Sequence, residues 1–353
     1  MKKKNIIVSA ILSAAVIVTG VLIYRFHSQL FMNPFNRAFV FENPSFSVTG
    51  SDGSSYVIDR SMRRIVKVDQ HGILCWEIEG GLRDHGTFFY AYEIAVDESG
   101  RLFVINGVLD QQGFYMLKEE ILSYSPEGRF EEIIYSKSYG SDRRNPDLVM
   151  RGEFTALSVD RNAVEWFEID ERGIQSLRIV RPQGAIERQA GVYLQNANFL
   201  VSSAVRSPDK SIVYATKKGK IYRSDNRDEG KVLYSADDYT GGLSIPWWVN
   251  ADKKGNIYFS DLGRRTISRI NPDKTASVIL SREKIERSGY QTGPFVYYRF
   301  SVNKEGMITA CNDFFNVILS SGGKNIVRYT DGGKISVKNV FKGIFIIILF
   351  IAL

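Results

Sequence analysis

Four side chains in the sequence could together bind a ligand: a carboxylate, a guanidinium, an indole and an amide. They are Glu93, Arg299, Trp248 and Asn250, and they lie in strands of a repeated sequence unit. An acid and a base beside an aromatic ring suit a polar ligand that has one apolar face. The alternative is structural, with Glu93 and Arg299 neutralising each other and Trp248 covering the rim of the core.

Other side chains with catalytic potential do not form a recognisable constellation. The three histidines, His27, His71 and His85, lie outside the predicted inner strands, where solvated loop histidines are expected. The sequence contains no Gly-x-Ser-x-Gly motif, no Walker phosphate-binding loop and no Cys-x-x-Cys pair. It therefore predicts no catalytic residue, no metal site and no cofactor.

The two cysteines, Cys75 and Cys311, lie near opposite ends of the repeated region. In a closed ring those ends are neighbours, and a location outside the cytoplasm permits a disulfide. A disulfide requires Cα atoms within about 7 Å, which strands at different depths of a sheet do not provide. The sequence leaves two alternatives, a ring-closing disulfide and two unpaired buried thiols.

The elements that carry these residues repeat six times. An apolar strand, a polar turn that often ends in Gly, and a second apolar strand recur between residues 45 and 313. The predicted turn residues are Gly53, Gly100, Ala163, Lys210, Gly255 and Gly306. Each copy is followed by a predicted hairpin with Asp, Pro, Gly or Asn in its turn. Four strands in roughly 45–50 residues match a propeller blade, so the sequence predicts an all-β, six-bladed β-propeller.

The first strand of each unit is predicted to line the axis of the ring. Alignment of the six units gives one ring of equivalent positions, Phe46, Glu93, Ala156, Ser203, Trp248 and Arg299. Two residues further along, on the same face of each strand, a second ring consists of Val48, Ala95, Ser158, Val205, Asn250 and Ser301. The candidate ligand site is predicted where these rings meet one mouth of the channel.

Two units resemble each other most, GSSYVIDRSMRRIVKVD at 53–69 and GNIYFSDLGRRTISRINPD at 255–273. Asp59 and Asp261 occupy the same position in them, and each precedes an arginine pair. In a repeat protein each unit packs on its neighbours, so a recurring residue usually serves the packing. We expect both carboxylates to pair with the following arginines or to cap turns.

Residues 45–340 resemble the NHL-repeat and SMP-30/gluconolactonase-like six-bladed β-propellers, through NIYFSDLGRRTISRINPD, KNIVRYTDGGKI and SPDKSIVY. The resemblance implies a closed ring with a central channel and a ligand or partner at one mouth. Lactonase members hold a divalent metal with Glu, Asn and Asp. At the Asn and Asp positions this sequence has Ser202 and Lys217. A lysine in place of a ligand repels a dication, which disfavours lactonase-type hydrolysis.

Both ends of the sequence are apolar. Segment 5–24 has no charge and follows three lysines, so a helix there would span about 30 Å and keep the N-terminus in the cytoplasm. A cleaved signal peptide is the alternative, but no A-x-A pattern follows. The final run GIFIIILFIAL is the partial start of a second transmembrane helix, a hydrophobic tail or a last strand.

The predicted organisation has four parts. Residues 1–24 are cytoplasmic lysines and a transmembrane anchor, and 25–44 are a linker and possible ring-closing strand. Residues 45–339 are the β-propeller, and 340–353 are the second hydrophobic segment. The net charge of +7 is spread without a dense basic run beyond the N-terminus, so the sequence predicts no nucleic-acid partner.

The sequence thus predicts a protein of the cell membrane, crossing it once or more, with most of the chain outside the cytoplasm. Its predicted function is to bind an unknown extracellular ligand or protein partner as a sensor, without catalysis. The alternatives are a channel-mouth lyase or hydrolase and a structural or adhesive envelope ectodomain.

Overall fold

The computed structural model describes most of the chain between residues 41 and 328. The described residues are 41, 44–60, 63–69, 73–81, 88–110, 116–139, 153–160, 163–170, 173–180, 184–189, 201–225, 230–238, 243–271, 273–287, 299–303, 306–312, 315–319 and 326–328. The predicted anchor at 5–24, the three histidines and the segment 340–353 lie outside them. Among the described residues, no helix is long and apolar enough to cross a bilayer.

The strands form six antiparallel sheets of four strands, each in sequential order. The first sheet contains β1 (Pro44–Thr49), β2 (Ser55–Asp59), β3 (Arg64–Val68) and β4 (Leu74–Glu79). The second contains β5 (Tyr90–Val96), β6 (Leu102–Leu109), β7 (Met116–Tyr124) and β8 (Phe130–Ser138). The third contains β9 (Phe154–Asp160), β10 (Ala163–Asp170), β11 (Gly173–Val180) and β12 (Ala185–Gln189).

The fourth sheet contains β13 (Val201–Arg206), β14 (Ile212–Thr216), β15 (Lys220–Ser224) and β16 (Lys231–Ser235). The fifth contains β17 (Pro246–Ala251), β18 (Ile257–Asp261), β19 (Thr266–Ile270) and β20 (Ala276–Leu280). The sixth contains β21 (Phe300–Val302), β22 (Ile308–Asn312), β23 (Phe315–Leu319) and β24 (Ile326–Arg328). A 3₁₀ turn at Ala236–Asp238 follows β16, and a short helix, α1 (Arg282–Arg287), follows β20.

This arrangement is an all-β propeller, as the repeat predicts. The first strands of successive sheets contact one another, and β1 also contacts β21 and β22 of the sixth sheet. Five sheets have strands of at least five residues throughout. The sixth is smaller, because its two edge strands, the first strand β21 and the last strand β24, have only three residues each. The five fully developed sheets therefore fall short of the six equal blades that the repeat predicts.

An aspartate or asparagine side chain closes the polar turns of the repeat. Asp97 Oδ1 accepts the backbone N–H groups of Ser99 and Arg101 at 2.9 Å. Asp252 Oδ1 accepts those of Lys254 and Asn256, also at 2.9 Å. These bonds close the turn locally, which explains why acidic residues recur between the first two strands.

Five of the six predicted turn residues adopt the left-handed conformation, namely Gly53, Gly100, Lys210, Gly255 and Gly306, with φ between 67° and 88°. Glycine has no Cβ to clash there, which explains its recurrence. The prediction is wrong for Ala163, which is the first residue of β10. The third and fourth units are the two in which no glycine occupies the predicted turn position, and in the fourth Lys210 adopts the left-handed conformation instead.

The recurring aspartates are structural, as the sequence predicts. Asp59 Oδ2 forms an ion pair with Arg64 Nη2 at 3.0 Å across the β2–β3 turn. Asp261 accepts hydrogen bonds from the backbone N–H of Ile245 at 2.9 Å and of Arg264 at 3.0 Å. Asp59 therefore holds the following arginine, and Asp261 caps both the connection into β17 and its own turn.

The cysteines do not form the disulfide that ring closure suggested, because neither thiol is oxidised to a disulfide. Cys75 lies in β4, the outermost strand of its sheet, and is exposed. Cys311 lies in β22, the second strand of the sixth sheet, where it is buried and its Sγ lies 2.8 Å from Ser47 Oγ. The two strands lie at different depths of their sheets. The alternative of two buried thiols is also wrong for Cys75.

A bulge near the start of the first strand recurs in the sheets. In the first, second, fourth and fifth sheets one residue is skipped in the pairing with the second strand: Ser45, Tyr92, Ser202 and Trp247. The third sheet has a register shift at the same end, and Ala156 there has a φ of 55°. Bulges bend a strand and re-aim its side chains, so the start of each first strand departs from regular alternation.

Candidate functional site

Arg299 crosses the centre of the propeller. It directly precedes β21 of the sixth sheet, yet its Nη1 donates a 2.6 Å hydrogen bond to the carbonyl oxygen of Tyr92 in the second sheet. Its guanidinium carbon also lies 5.0 Å from the ring centroid of Trp248 in the fifth sheet. The second and sixth sheets are separated by the first, so this side chain spans the axis between them.

Trp248 fills the axis instead of lining an open channel. It is buried, and its ring meets that of Phe46 in the first sheet at 6.1 Å in an edge-on arrangement. Its indole N–H donates to the carbonyl oxygen of Phe300 at 3.0 Å. Asn250 Nδ2 reaches the same oxygen at 3.5 Å. The predicted first ring therefore belongs largely to the hydrophobic core, because the two large aromatic side chains of Phe46 and Trp248 meet across the centre.

Glu93 faces the third sheet. Its Oε1 accepts the backbone N–H of Leu157 at 2.7 Å, and its Oε2 lies 3.4 Å from the hydroxyl of Thr155. The N–H of Ala156 is also directed at this carboxylate. Three neighbouring donors around the left-handed residue Ala156 thus form a small nest for one anion. Glu93 fills that nest, which joins the second sheet to the third.

Burial raises the pKa of Glu93 to about 7, although Arg299 and the three donors oppose the shift. Burial also lowers the pKa of Arg299, and Glu93 opposes that shift. Arg299 nevertheless forms no ion pair with any described carboxylate. The alternative of mutual neutralisation therefore holds only in part, because the two groups interact without direct pairing.

The structure brings three of the four candidate residues together. Trp248, Asn250 and Arg299 meet around the first residue of β21, whereas the carboxylate of Glu93 is directed at the third sheet. Sequence reasoning missed Arg60 and Tyr90. The Arg60 guanidinium carbon lies 5.4 Å from the Tyr90 ring centroid. The sequence offered one signal that Arg60 is unusual. The fifth unit matches the first closely but has Leu262 at the position of Arg60.

A second polar cluster, also missed, joins the second and third sheets. The buried carboxylate of Glu119 accepts hydrogen bonds from the hydroxyls of Tyr92 and Tyr139 and, at 2.7 Å, from the backbone N–H of Glu153. Lys137 Nζ lies 2.7 Å from Glu153 and 3.0 Å from Glu168. Burial raises the pKa of Glu119 to about 7. All its members have protein partners, so we interpret this cluster as structural.

Ser202 and Lys217, which stand at the positions of two lactonase metal ligands in the sequence resemblance, do not form a cation site. Ser202 is the bulged residue of β13 and is buried, whereas Lys217 lies in the exposed turn after β14. Across the described part of the chain, no group of three or more His, Cys, Asp or Glu side chains could hold a metal ion. Ser202 and Lys217 therefore do not act together as ligands of a metal site in the described part of the chain.

Replacement of Glu93 by Gln is expected to reduce the pH dependence of stability. Because the folded-state pKa is raised, the folded chain binds the extra proton, so stability present near pH 4.5 is lost as the pH rises through about 7. The interval between 4.5 and about 7 corresponds to roughly 3 kcal/mol. Glutamine retains the oxygen for Leu157 and cannot ionise.

Urea denaturation between pH 5 and pH 8 measures this effect. The free energy of unfolding of the unaltered chain should fall more steeply with pH than that of the Glu93→Gln variant. Glu187→Gln, which changes an exposed residue of β12, is the control and should leave the slope unchanged. Equal slopes for all three proteins would show that Glu93 is ionised throughout this range.

Comparison with known proteins finds only distant similarity to this chain. No family model matches the chain, and no curated protein matches it. Similar solved structures include a virginiamycin B lyase from Staphylococcus aureus, with 12% identity, a TM-score of 0.48 and coverage of 84% of this chain and 87% of that one.

Two further similar structures illustrate the range of functions. A gluconolactonase from Xanthomonas campestris has 13% identity, a TM-score of 0.45 and coverage of 77% and 85%. The WD40 β-propeller domain of Doa1 has 13% identity, a TM-score of 0.47 and coverage of 81% and 82%. All are propellers or propeller enzymes of unrelated activity, so the similarity carries no argument about what this chain binds or does.

Proposed function

We propose that the chain is a non-catalytic binding module, a membrane-anchored β-propeller that takes a polar ligand outside the cytoplasm. The single observation that supports a binding role is the position of Arg299. Its guanidinium lies on Trp248 at the centre of the propeller, is partly exposed, and forms no ion pair with a described carboxylate. A permanent charge placed at the axis without a direct ion-pair partner is a costly arrangement that an anionic ligand group would improve.

The ring geometry in this proposal has six blades, the sixth being the small sheet β21–β24. Contacts of β1 with β21 and β22, and of β17 with β21, support closure through this sheet. Ser301 Oγ also donates to the carbonyl oxygen of Ser47 at 2.7 Å, between β21 and β1. The membrane anchor in the proposal is segment 5–24, whose uncharged sequence after three lysines supports it.

The chemistry of the site suits recognition more than bond cleavage. Arg299 offers a fixed fork of N–H donors, and Trp248 holds it from the side by a cation–π contact. Neither group accepts a proton at neutral pH, and the nearest titrating carboxylate, Glu93, is directed away into the third sheet. The arrangement can therefore orient a polar ligand without offering it a general base.

Ligand binding by the full chain should depend on Arg299. The full chain in an uncharged detergent is screened by thermal shift with neutral and acidic sugars, peptidoglycan fragments and short peptides. A ligand that binds only the folded protein raises its melting temperature by mass action. The Arg299→Gln variant should lose at least tenfold in affinity for any ligand found, since a hydrogen-bonded charge in a buried interface typically contributes more than about 1.4 kcal/mol.

The control is Arg129→Gln, which removes the same charge from an exposed turn between β7 and β8. It should bind as the unaltered chain does. A large stabilisation by calcium or zinc, together with lactone hydrolysis that a chelator abolishes, would instead favour the enzyme alternative. A complete lack of response to every additive would contradict the binding role and favour a structural or adhesive ectodomain.

A further inference from the structure

Two arginines flank one pair of tyrosines at the start of β5. Arg60, directly after β2, lies over the ring of Tyr90, with its guanidinium carbon 5.4 Å from the centroid. The rings of Tyr90 and Tyr92 are 6.3 Å apart. Arg299 is bonded to the carbonyl oxygen of Tyr92 at 2.6 Å. The two guanidinium groups are thus held on the first residues of the same strand.

Direct ion pairs do not compensate the charges of these two arginines within the described residues. Neither Arg60 nor Arg299 forms an ion pair with a described carboxylate. Burial lowers the pKa of Arg299, Glu93 opposes that shift, and the nearby positive charge of Arg60 adds to it. Like charges repel each other more strongly when they are partly shielded from water. A bound anion would remove this repulsion.

Glu93 does not supply that anion. Its two oxygens already accept hydrogen bonds from the third sheet, with the backbone N–H of Leu157 at 2.7 Å from one of them. Its raised pKa of about 7 also leaves it only partly ionised at neutral pH. Glu93 therefore leaves Arg60 and Arg299 without a direct carboxylate partner among the described residues.

The repeat does not require an arginine at position 60. The arginines that recur in the first and fifth units are the pairs Arg63–Arg64 and Arg264–Arg265. Arg64 has a clear structural role, its ion pair with Asp59. Arg60 precedes that pair, and the fifth unit has Leu262 at the same place. An exposed arginine that is absent from the matching unit is not explained by the architecture of a blade.

We propose that Arg60 and Arg299 bind one oxyanion, a carboxylate or phosphate group of a small ligand, beside Tyr90 and Tyr92. The inference rests on the proposed binding function and names the class of ligand. Arg60 donates no hydrogen bond within the described residues, and Arg299 uses one N–H for Tyr92. The remaining donors can engage two oxygens of one anion in the bidentate geometry that guanidinium favours.

Anion titration of the full chain in an uncharged detergent tests this site. Sodium phosphate and sodium glucuronate are titrated separately, with sodium chloride adjusted to keep the ionic strength constant, and the melting temperature is recorded. At least one series should give a saturable rise, and the two series distinguish a phosphate ligand from a carboxylate ligand. Glucose, which has no carboxylate, should give no rise.

The decisive variant is Arg60→Gln, because Arg60 is exposed and its loss should leave the fold intact. It should weaken anion binding at least tenfold. Arg299→Lys keeps the charge and removes the fork, and it should weaken binding less than Arg299→Gln. The matched control is Arg265→Gln, at an exposed position in the β18–β19 turn, and its titration should equal that of the unaltered chain.

Three other outcomes would overturn the anion site. A rise that persists unchanged in Arg60→Gln is a general salt effect and overturns the anion site. A neutral ligand whose binding depends on Arg299 but not on Arg60 overturns the anion site and leaves the proposed function standing. No saturable binding of phosphate or glucuronate to the unaltered chain also overturns the site, whatever the wider ligand screen finds.

Discussion

Removal of residues 41–50 is expected to unfold the whole β-propeller. This segment contains β1, which contacts β5 on one side and both β21 and β22 on the other. Phe41 and Phe46 are buried, and Ser47 is bonded to Ser301 of the sixth sheet. The deletion exposes an edge of β2 and breaks the contacts between the first and last sheets, so the stabilisation gained by ring closure is lost.

Circular dichroism during thermal unfolding measures this result. The deletion variant should show no cooperative transition, or one at least 15 °C lower, because a typical domain of marginal stability does not survive the loss of several buried aromatic and backbone contacts. The control deletes an equal length, residues 141–150, whose polar sequence SDRRNPDLVM predicts a loop, and should unfold near the temperature of the intact chain. Equal melting temperatures for all three proteins would contradict closure through β1.

Replacement of Lys137 by Ala is expected to be among the most destabilising single changes in this propeller. Lys137 Nζ lies 2.7 Å from Glu153 and 3.0 Å from Glu168, and both carboxylates are buried. Its removal leaves two acids between the second and third sheets without their shared cation. Breaking a buried ion pair from one side typically costs about 3–5 kcal/mol.

The control for this change is Lys220→Ala, since Lys220 pairs with the exposed carboxylate of Asp237 at 3.2 Å. Exposed pairs contribute about 0–1 kcal/mol, so urea denaturation at pH 7.5 should separate the two variants clearly. The loss in the Lys137 variant should shrink toward pH 5, because carboxylates left without a cation in a buried site bind protons more readily. Similar losses for both variants would mean that water or other donors replace Lys137.

The regular part of the fold follows from local sequence. Alternating apolar residues determine each strand, and the acidic turns fold through bonds within four residues, as between Asp97 and Arg101. The role of Asp59 is equally local, because Arg64 is its partner across one hairpin. These features are readable because each interaction lies within one unit and the unit recurs.

The errors of the sequence-based prediction arise where the local pattern breaks. Bulges at Ser45, Tyr92, Ser202 and Trp247 change the facing of side chains at the start of the first strands. A pattern with a period of two residues does not show these bulges, and it does not show that Phe46 and Trp248 meet across the centre. The first ring was therefore predicted to line a channel. The sequence left open whether Cys75 reaches Cys311, because it gives the neighbouring sheet but not the depth of a strand within it.

What the sequence by itself determined is the repeated all-β unit with its order of strands, the turn chemistry, and the presence of Glu93, Trp248, Asn250 and Arg299 in first strands or directly before one. Only the tertiary structure decided which of them meet. Arg299 reaches the carbonyl oxygen of Tyr92, 207 positions away in sequence, and Glu93 turns instead to the N–H of Leu157 in the next sheet. Both contacts depend on how the sheets are placed around the axis. Buried polar groups there bond to whichever partner the packing brings within hydrogen-bond distance. No local sequence pattern encodes the distance between residues of different sheets.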